Sequence, residues 1–264
     1  MNSLGEMIKN KLSISLLTIF LISAIFKVNI FPHIFVNESF FQYKHYSSKT
    51  LQEYKTKLLI VNCQSNLYDG LCEFVSSFLT KKEIPHSIIK RNHDNLQDII
   101  NSQFEGFDLL IISGSSTFLP DSPEVQDVST LLKIIMKQDK HAFGVCFGLQ
   151  LLAFLLDSKD GKLVNKGSWD KDVSIDILID DSVFQNIGSE GVSFITKQYH
   201  NYSVPFSGKE NLGKGRILAK SKDGIEIIRT GKIVATQFHP ESRYASPQAK
   251  CVLQNYLKAF ISNF

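Results

Sequence analysis

His141-Ala142-Phe143-Gly144-Val145-Cys146-Phe147-Gly148-Leu149-Gln150 changes pattern at its cysteine. An apolar run of strand length ends there, and a helical apolar pattern, Leu149 to Leu156, begins at once. The cysteine therefore sits on a strand-to-helix turn between two glycines. That is the layout of a nucleophile elbow, with cysteine in the place where hydrolases often carry serine. A sharp turn crowds Cβ atoms against neighbouring backbone, which glycine avoids. The helix N-terminus beneath the sulfur favours thiolate over thiol. Taken alone, the stretch fits a cysteine buried in a core helix equally well.

Ninety residues on, Thr236-Gln237-Phe238-His239-Pro240-Glu241-Ser242 supplies what a cysteine nucleophile needs. In an extended segment, residues two apart share a side, so His239 and Glu241 are expected to face one way. A base, His239, and a carboxylate to orient it, Glu241, then complete a nucleophilic set with Cys146.

Working outward, Leu58 to Cys63 reads as a buried strand and Leu67 to Leu79 as a helix. Ser87 to Ile89 and Phe107 to Ser113 read as further strands, Val125 to Lys137 as a helix, and Ala142 to Cys146 as the strand feeding the elbow. This alternation predicts an α/β fold: a mostly parallel central sheet with helices on both faces. Ligands in such sheets bind beyond the carboxyl ends of the strands. Ser113-Gly114-Ser115-Ser116 and Cys146 both lie at such ends and are expected to be neighbours. After Leu156 the pattern alternates over Asp172 to Ile179, Val192 to Val204 and Ile225 to Phe238, which predicts an antiparallel half that loops back to deliver His239. Gln248 to Phe260 closes as a helix.

The chain has 264 residues and a formal net charge of +3. That length can bury a large core, and the absence of a basic stripe argues against nucleic acid as a partner. There are four cysteines, Cys63, Cys72, Cys146 and Cys251; with Cys146 a nucleophile, the odd remainder argues against a disulfide framework. No metal site is expected: His33, His45, His86, His93 and His141 have no partner at ligand spacing. At the start, Leu12 to Phe26 is uncharged and mostly apolar, after Lys9 and Lys11. Residues 1–36 are thus expected to be a hydrophobic signal, anchor or organelle-targeting segment, with membrane association through residues 12–31. Residues 37–56 read as a linker and residues 57–264 as the globular domain, with a cytoplasmic location as the alternative.

The paired motifs Gly-Val-Cys-Phe-Gly-Leu-Gln (144–150) and Gln-Phe-His-Pro-Glu-Ser (237–242) resemble the class I, triad-type glutamine amidotransferases, from about Lys57 to the C-terminus. Local motifs look most like the small subunits of anthranilate or aminodeoxychorismate synthase and the glutaminase half of GMP synthase. The resemblance implies hydrolysis of the glutamine side-chain amide through a Cys146 thioester, with His239 shuttling protons and Glu241 orienting it. The oxyanion would be met by the backbone N–H of Phe147 and by the Gly114–Ser115 loop. Gln150 would contact glutamine, and Gln198-Tyr199-His200-Asn201-Tyr202 would form the loop that holds its α-amino and carboxylate groups, with Tyr199, His200 and Asn201 at the substrate. No cofactor is implied.

Two places depart from the family. Many relatives have Gly-Pro where this chain has Ser115-Ser116, and a positive φ at Ser115 would be poorly tolerated. The first strand ends Asn62-Cys63-Gln64-Ser65-Asn66, not in the Asp-x-x-Asp-Ser-Phe of the anthranilate type. Because the sequence ends just after its last helix, a separate synthase partner is expected to receive the ammonia. A free-standing γ-glutamyl peptidase or hydrolase is the alternative, and a non-catalytic binding module on the same fold is the third reading.

Overall fold

A computed structural model describes residues 55–64 and 70–263. The parallel part of the sheet is built from β1 (Thr56–Asn62), β2 (His86–Asn92), β3 (Leu109–Ile112), β4 (His141–Val145) and β10 (Ile233–Thr236). The rest is β5 (Trp169–Ile177), β6 (Ser193–Tyr199), β7 (Asn211–Leu212), β8 (Gly215–Lys220) and β9 (Ile225–Thr230). Across the sheet the order is β2-β1-β3-β4-β10-β9-β8-β5-β6, with β7 paired to β8. Every pairing from β10 to β9 onward is antiparallel.

Alternation along the parallel strands sorts their side chains between two cores. Leu58, Ile60, Leu109 and Ile111 point to the face covered by α1 (Gly70–Lys81) and α5 (Pro247–Ile261). Leu59, Val61, Leu110 and Ile112 point to the face covered by α2 (Gln97–Asn101), α3 (Gln126–Lys137) and α4 (Phe147–Leu156). Strands buried on both faces are near-continuous apolar runs, as Leu109–Ile112 is. Helix α5 starts where the sequence supplies a cap: Ser246 Oγ accepts from Ala249 N at 3.2 Å, and Pro247 needs no donor partner in the first turn.

The α/β architecture with helices on both faces stands, but the sheet is mixed rather than mostly parallel. Five strands run parallel, and the remainder join them through antiparallel pairings. The stretch Ile225 to Phe238, expected as one alternating segment, is a hairpin, β9 and β10, turned at Gly231 (φ 54°). A tight hairpin keeps the period-two pattern on both arms, so alternation alone does not show the break. The second arm then pairs in parallel with β4.

The hydrophobic segment at 1–36 and the linker at 37–56 fall outside the described residues, apart from Lys55 and Thr56. Among the described residues, no helix is long and apolar enough to cross a membrane.

Candidate active site

Cys146 follows β4 directly and caps α4, with φ 50° and ψ −97°. For a residue with a side chain this is a sparsely populated conformation, costing about 1–3 kcal/mol, and such strain gathers at functional sites. The surroundings hold it in place. Its N–H donates to Thr236 O at 2.7 Å, while its carbonyl accepts from Leu149 N at 3.0 Å and Gln150 N at 3.1 Å. The flanking glycines are required by contact. A Cβ on Gly144 would lie 2.8 Å from the Gly148 carbonyl carbon, so α4 can begin against β4 only with no side chain there. The side chain of Cys146 is almost fully buried, 3% exposed.

Parallel pairing of β10 with β4 puts Thr236 opposite Val145, which carries the following residues to the sulfur. His239 Nδ1 and Glu241 Oε1 are 2.8 Å apart. The pair does not lie in an extended segment, as the spacing suggested. The strand ends at Thr236, and the chain turns after His239, with Ser242 N donating to His239 O at 3.1 Å. Pro240 has no N–H for a ladder and its fixed φ suits a turn, so the two side chains meet across it.

His239 also hydrogen-bonds Cys146. Burial opposes the charge on its ring. The Glu241 carboxylate, the hydrogen bonds to Cys146 and Glu241 and the charge of the sulfur outweigh burial, raising its pKa well above the ordinary value. Gly114, after β3, packs against both groups: a Cβ there would sit 2.8 Å from His239 Cε1 and 3.3 Å from Cys146 Cβ. The loop beside the elbow thus packs against Cys146, as its strand-end position led one to expect.

Ser115 does not adopt a positive φ. Its hydroxyl instead accepts from Thr117 N at 3.1 Å and Phe118 N at 3.0 Å, folding the loop back on itself.

A cleft of about 210 Å³ opens over the sulfur. It is smaller than the roughly 300–1,000 Å³ of drug-sized pockets, which suits an amino-acid side chain better than a cofactor. Ser115, Cys146, Gln150, Tyr199, His200, Asn201 and His239 all line it. Phe147, first residue of α4, is fully buried beneath it. Gln150 is held on the wall by its own hydrogen bonds: Nε2 donates to Tyr202 O at 3.0 Å and to Gln237 Oε1 at 3.3 Å. His200 Nδ1 lies 3.1 Å from the same Tyr202 carbonyl, which fixes the proton on Nδ1. Burial, outweighing the neighbouring Asp223 charge, brings the pKa of His200 down to about 4, so it is neutral near pH 7.

Two contributors were missed in the sequence. Gln237 donates from Nε2 to Cys146 Sγ at 3.5 Å. Trp169, exposed, forms part of the rim, beside Tyr202 of the expected substrate loop. Gln237 lies inside the histidine motif, and its position two residues before His239 was the available signal. Nothing local marks Trp169. Among the described residues, no cluster of three or more His, Cys, Asp or Glu side chains is arranged to hold a metal ion.

Comparison with known proteins agrees with this geometry. The family model for glutamine amidotransferase class-I matches residues 65–259. The carbamoyl phosphate synthase small chain of Thermoplasma volcanium is 26% identical over 162 residues, 59% of this chain. The match spans only 39% of that relative's length. Among solved structures, a protein from Thermoplasma acidophilum proposed to be part of a GMP synthase superposes with a TM-score of 0.59 at 19% identity, covering 80% of this chain and 96% of its own. The glutaminase domain of Trypanosoma brucei CTPS, solved with bound acivicin, gives 0.59 at 15% identity, covering 77% and 94%. At such identities the structures speak for the fold alone. The family match runs over well more than half of the sequence, from before the elbow to within the last helix, and the chain belongs to the class I glutamine amidotransferases.

Proposed function

We propose that this chain hydrolyses the side-chain amide of glutamine and passes the ammonia to a separate synthase. The observation that carries the reading is the continuous contact from Glu241 through His239 to a cysteine held at positive φ under an amino-acid-sized cleft.

In the first half-reaction, Cys146 Sγ attacks the amide carbon, and the oxygen takes up the negative charge. The Phe147 N–H, next after the nucleophile, and an N–H of the Gly114–Ser115 loop would be the donors that receive it. His239, held protonated, gives its proton to the departing nitrogen as the carbon–nitrogen bond breaks, leaving a thioester and ammonia. Acylation removes the charge on sulfur, one of the influences that kept His239 protonated. The ring, now neutral, can accept a proton from water as that water attacks the thioester, releasing glutamate and regenerating Cys146. Glu241 holds the ring throughout. Both amide hydrogens of Gln150 are engaged, so its carbonyl oxygen is the group left to meet substrate. The Tyr199–Asn201 loop on the facing wall would hold the amino-acid end of glutamine.

The rim favours a second reading in one respect. Trp169, 56% exposed, and Tyr202, 40% exposed, offer apolar surface to a substituent on the amide nitrogen, as in a γ-glutamyl peptide. One experiment tests both. Glutamate release is measured for glutamine and for γ-glutamyl dipeptides, with the wild-type chain and Cys146→Ser. Glutamine turnover lost in the variant, by at least about 10³-fold, is the expected result. Turnover confined to the dipeptides would move the chain to the peptidase reading, and equal turnover by variant and wild type would remove Cys146 from the chemistry.

A further inference from the structure

The sulfur has a second partner besides His239, and its orientation is dictated from outside the site. Gln237 is fully buried on the arm between β10 and His239. Its backbone is pinned, with its N–H donating to Glu226 O at 2.9 Å, one residue after the Thr236 carbonyl that receives the Cys146 N–H. The direction of the side-chain chain of hydrogen bonds follows from one group that can only accept. The Tyr202 carbonyl requires Gln150 to present its NH₂. The second hydrogen of that NH₂ requires an acceptor, which Gln237 supplies with Oε1. Gln237 is then obliged to turn its own NH₂ to the sulfur, at 3.5 Å. A backbone carbonyl in the substrate loop thereby fixes a donor on the nucleophile through two interposed carboxamides.

We propose that Gln237 is a positioning residue for the nucleophile: its carboxamide holds Cys146 Sγ beside His239 and steadies the charge there, and Gln150 ties that hold to the loop carrying Tyr202. The proposal rests on Cys146 being the nucleophile. A donor to an ionised acceptor makes a stronger bond than a neutral pair, so the contact favours the charged sulfur. Unlike His239, a carboxamide does not titrate, so its support is constant with pH. The titratable groups facing the sulfur are His239, with Glu241 behind it, and, across the cleft, His200, Tyr199 and Tyr202, with Asp223 and Glu226 beyond. Replacing Gln237 by an uncharged side chain leaves all of them in place.

The test is alkylation of Cys146 by iodoacetamide as a function of pH, read at the Cys146 peptide by mass spectrometry, with thermal unfolding alongside. Gln237→Met keeps the length and removes the donor; the alkylation midpoint is expected to rise by about one pH unit. Gln237→Glu keeps the acceptor for Gln150 but sets a carboxylate against the sulfur, and a larger rise is expected. Gln150→Met leaves the Gln237 carboxamide in place but removes the link that orients it, and a smaller rise is expected. A merely structural glutamine would lower the unfolding temperature and slow alkylation evenly, with no change of midpoint. An unshifted midpoint in Gln237→Met overturns the proposal; should that variant not fold, an unshifted midpoint in Gln150→Met does so. Alkylation needs no glutamine turnover, so failure here and failure of the glutaminase reading are separate results.

Discussion

Around Cys146 the closest constraints involve backbone: Gly144 against Gly148, Gly148 against the Ile112 carbonyl, and Gly114 against His239. The facing loop has backbone contacts of its own, Gly167 against the His200 carbonyl among them, and adds a buried network of side chains. Gln198 Nε2 donates to Glu226 Oε2 at 3.0 Å, Ser221 Oγ to Glu226 Oε1 at 2.6 Å, and Ser203 Oγ to the Asp223 carbonyl at 2.7 Å, all buried. Three buried atoms in this cluster, Gln198 Oε1, His200 Nε2 and Asp223 Oδ2, have no hydrogen-bond partner. The parallel half thus seats Cys146 chiefly by steric exclusion, which does not vary with pH. The antiparallel half adds buried ionisable groups behind the facing wall of the cleft, and these do.

The comparison breaks most severely at Gly114. Adding a methyl there sets Cβ 2.8 Å from the His239 ring, a distance real Cβ contacts do not keep, so ring or loop must move. Displacement of a reacting group by about 1 Å costs on the order of 100-fold in rate. Gly114→Ala is expected to lose at least that much in kcat, with KM for glutamine and the unfolding temperature changed far less. Wild-type kcat in this variant would show that the loop yields freely and that the parallel half is not set by exclusion.

Glu226 probes the other half. Burial, aided by the Asp223 charge and opposed by hydrogen bonds from Ser221 and Gln198, raises its pKa from 4.5 to about 8. Between those values the native state keeps a proton that the unfolded chain releases, so this group's contribution to stability falls as pH rises, by at most about 1.4 kcal/mol per unit. His200, lowered to about 4, acts in the opposite sense, its contribution rising with pH between about 4 and 6.5. His239, raised above 6.5, joins Glu226 in losing stability above that point. Glu226→Gln isolates the carboxyl. The stability difference, wild type minus variant, is expected to fall by about 3 kcal/mol from pH 5 to pH 8 in urea unfolding. Parallel profiles would mean that Glu226 does not change charge in this range.

The two halves also differed in how far the sequence revealed them. The elbow was legible because strand, nucleophile and helix are consecutive, and each pattern, an apolar run and then a helical period, is local. The polar cluster was not. Gln198, Ser221, Asp223 and Glu226 are residue types of solvated turns, and their burial arises only when β6, β8 and β9 come together across the sheet. For the same reason His239 and Glu241 were correctly paired but placed in the wrong backbone, since spacing does not distinguish a strand from a turn begun by Pro240. Gln237 needed the run of hydrogen bonds from Tyr202 through Gln150 before its carboxamide acquired a direction.

Ser115 gives the smallest effect and the finest division between the two modes, because it lies in the parallel half yet uses its side chain. Its hydroxyl accepts from Thr117 N and Phe118 N, while the oxyanion role assigned to this loop belongs to backbone N–H groups. Ser115→Ala removes the first and leaves the second. Two hydrogen bonds at a partly exposed turn are worth about 1 kcal/mol together once water replaces the hydroxyl. The loop lines the cleft, so a looser loop weakens binding of both the ground state and the transition state. The expected outcome is a rise of a few-fold in KM with kcat within about two-fold, measured by glutamate release. A fall in kcat comparable with that of Gly114→Ala would instead place the hydroxyl among the groups that meet the oxyanion.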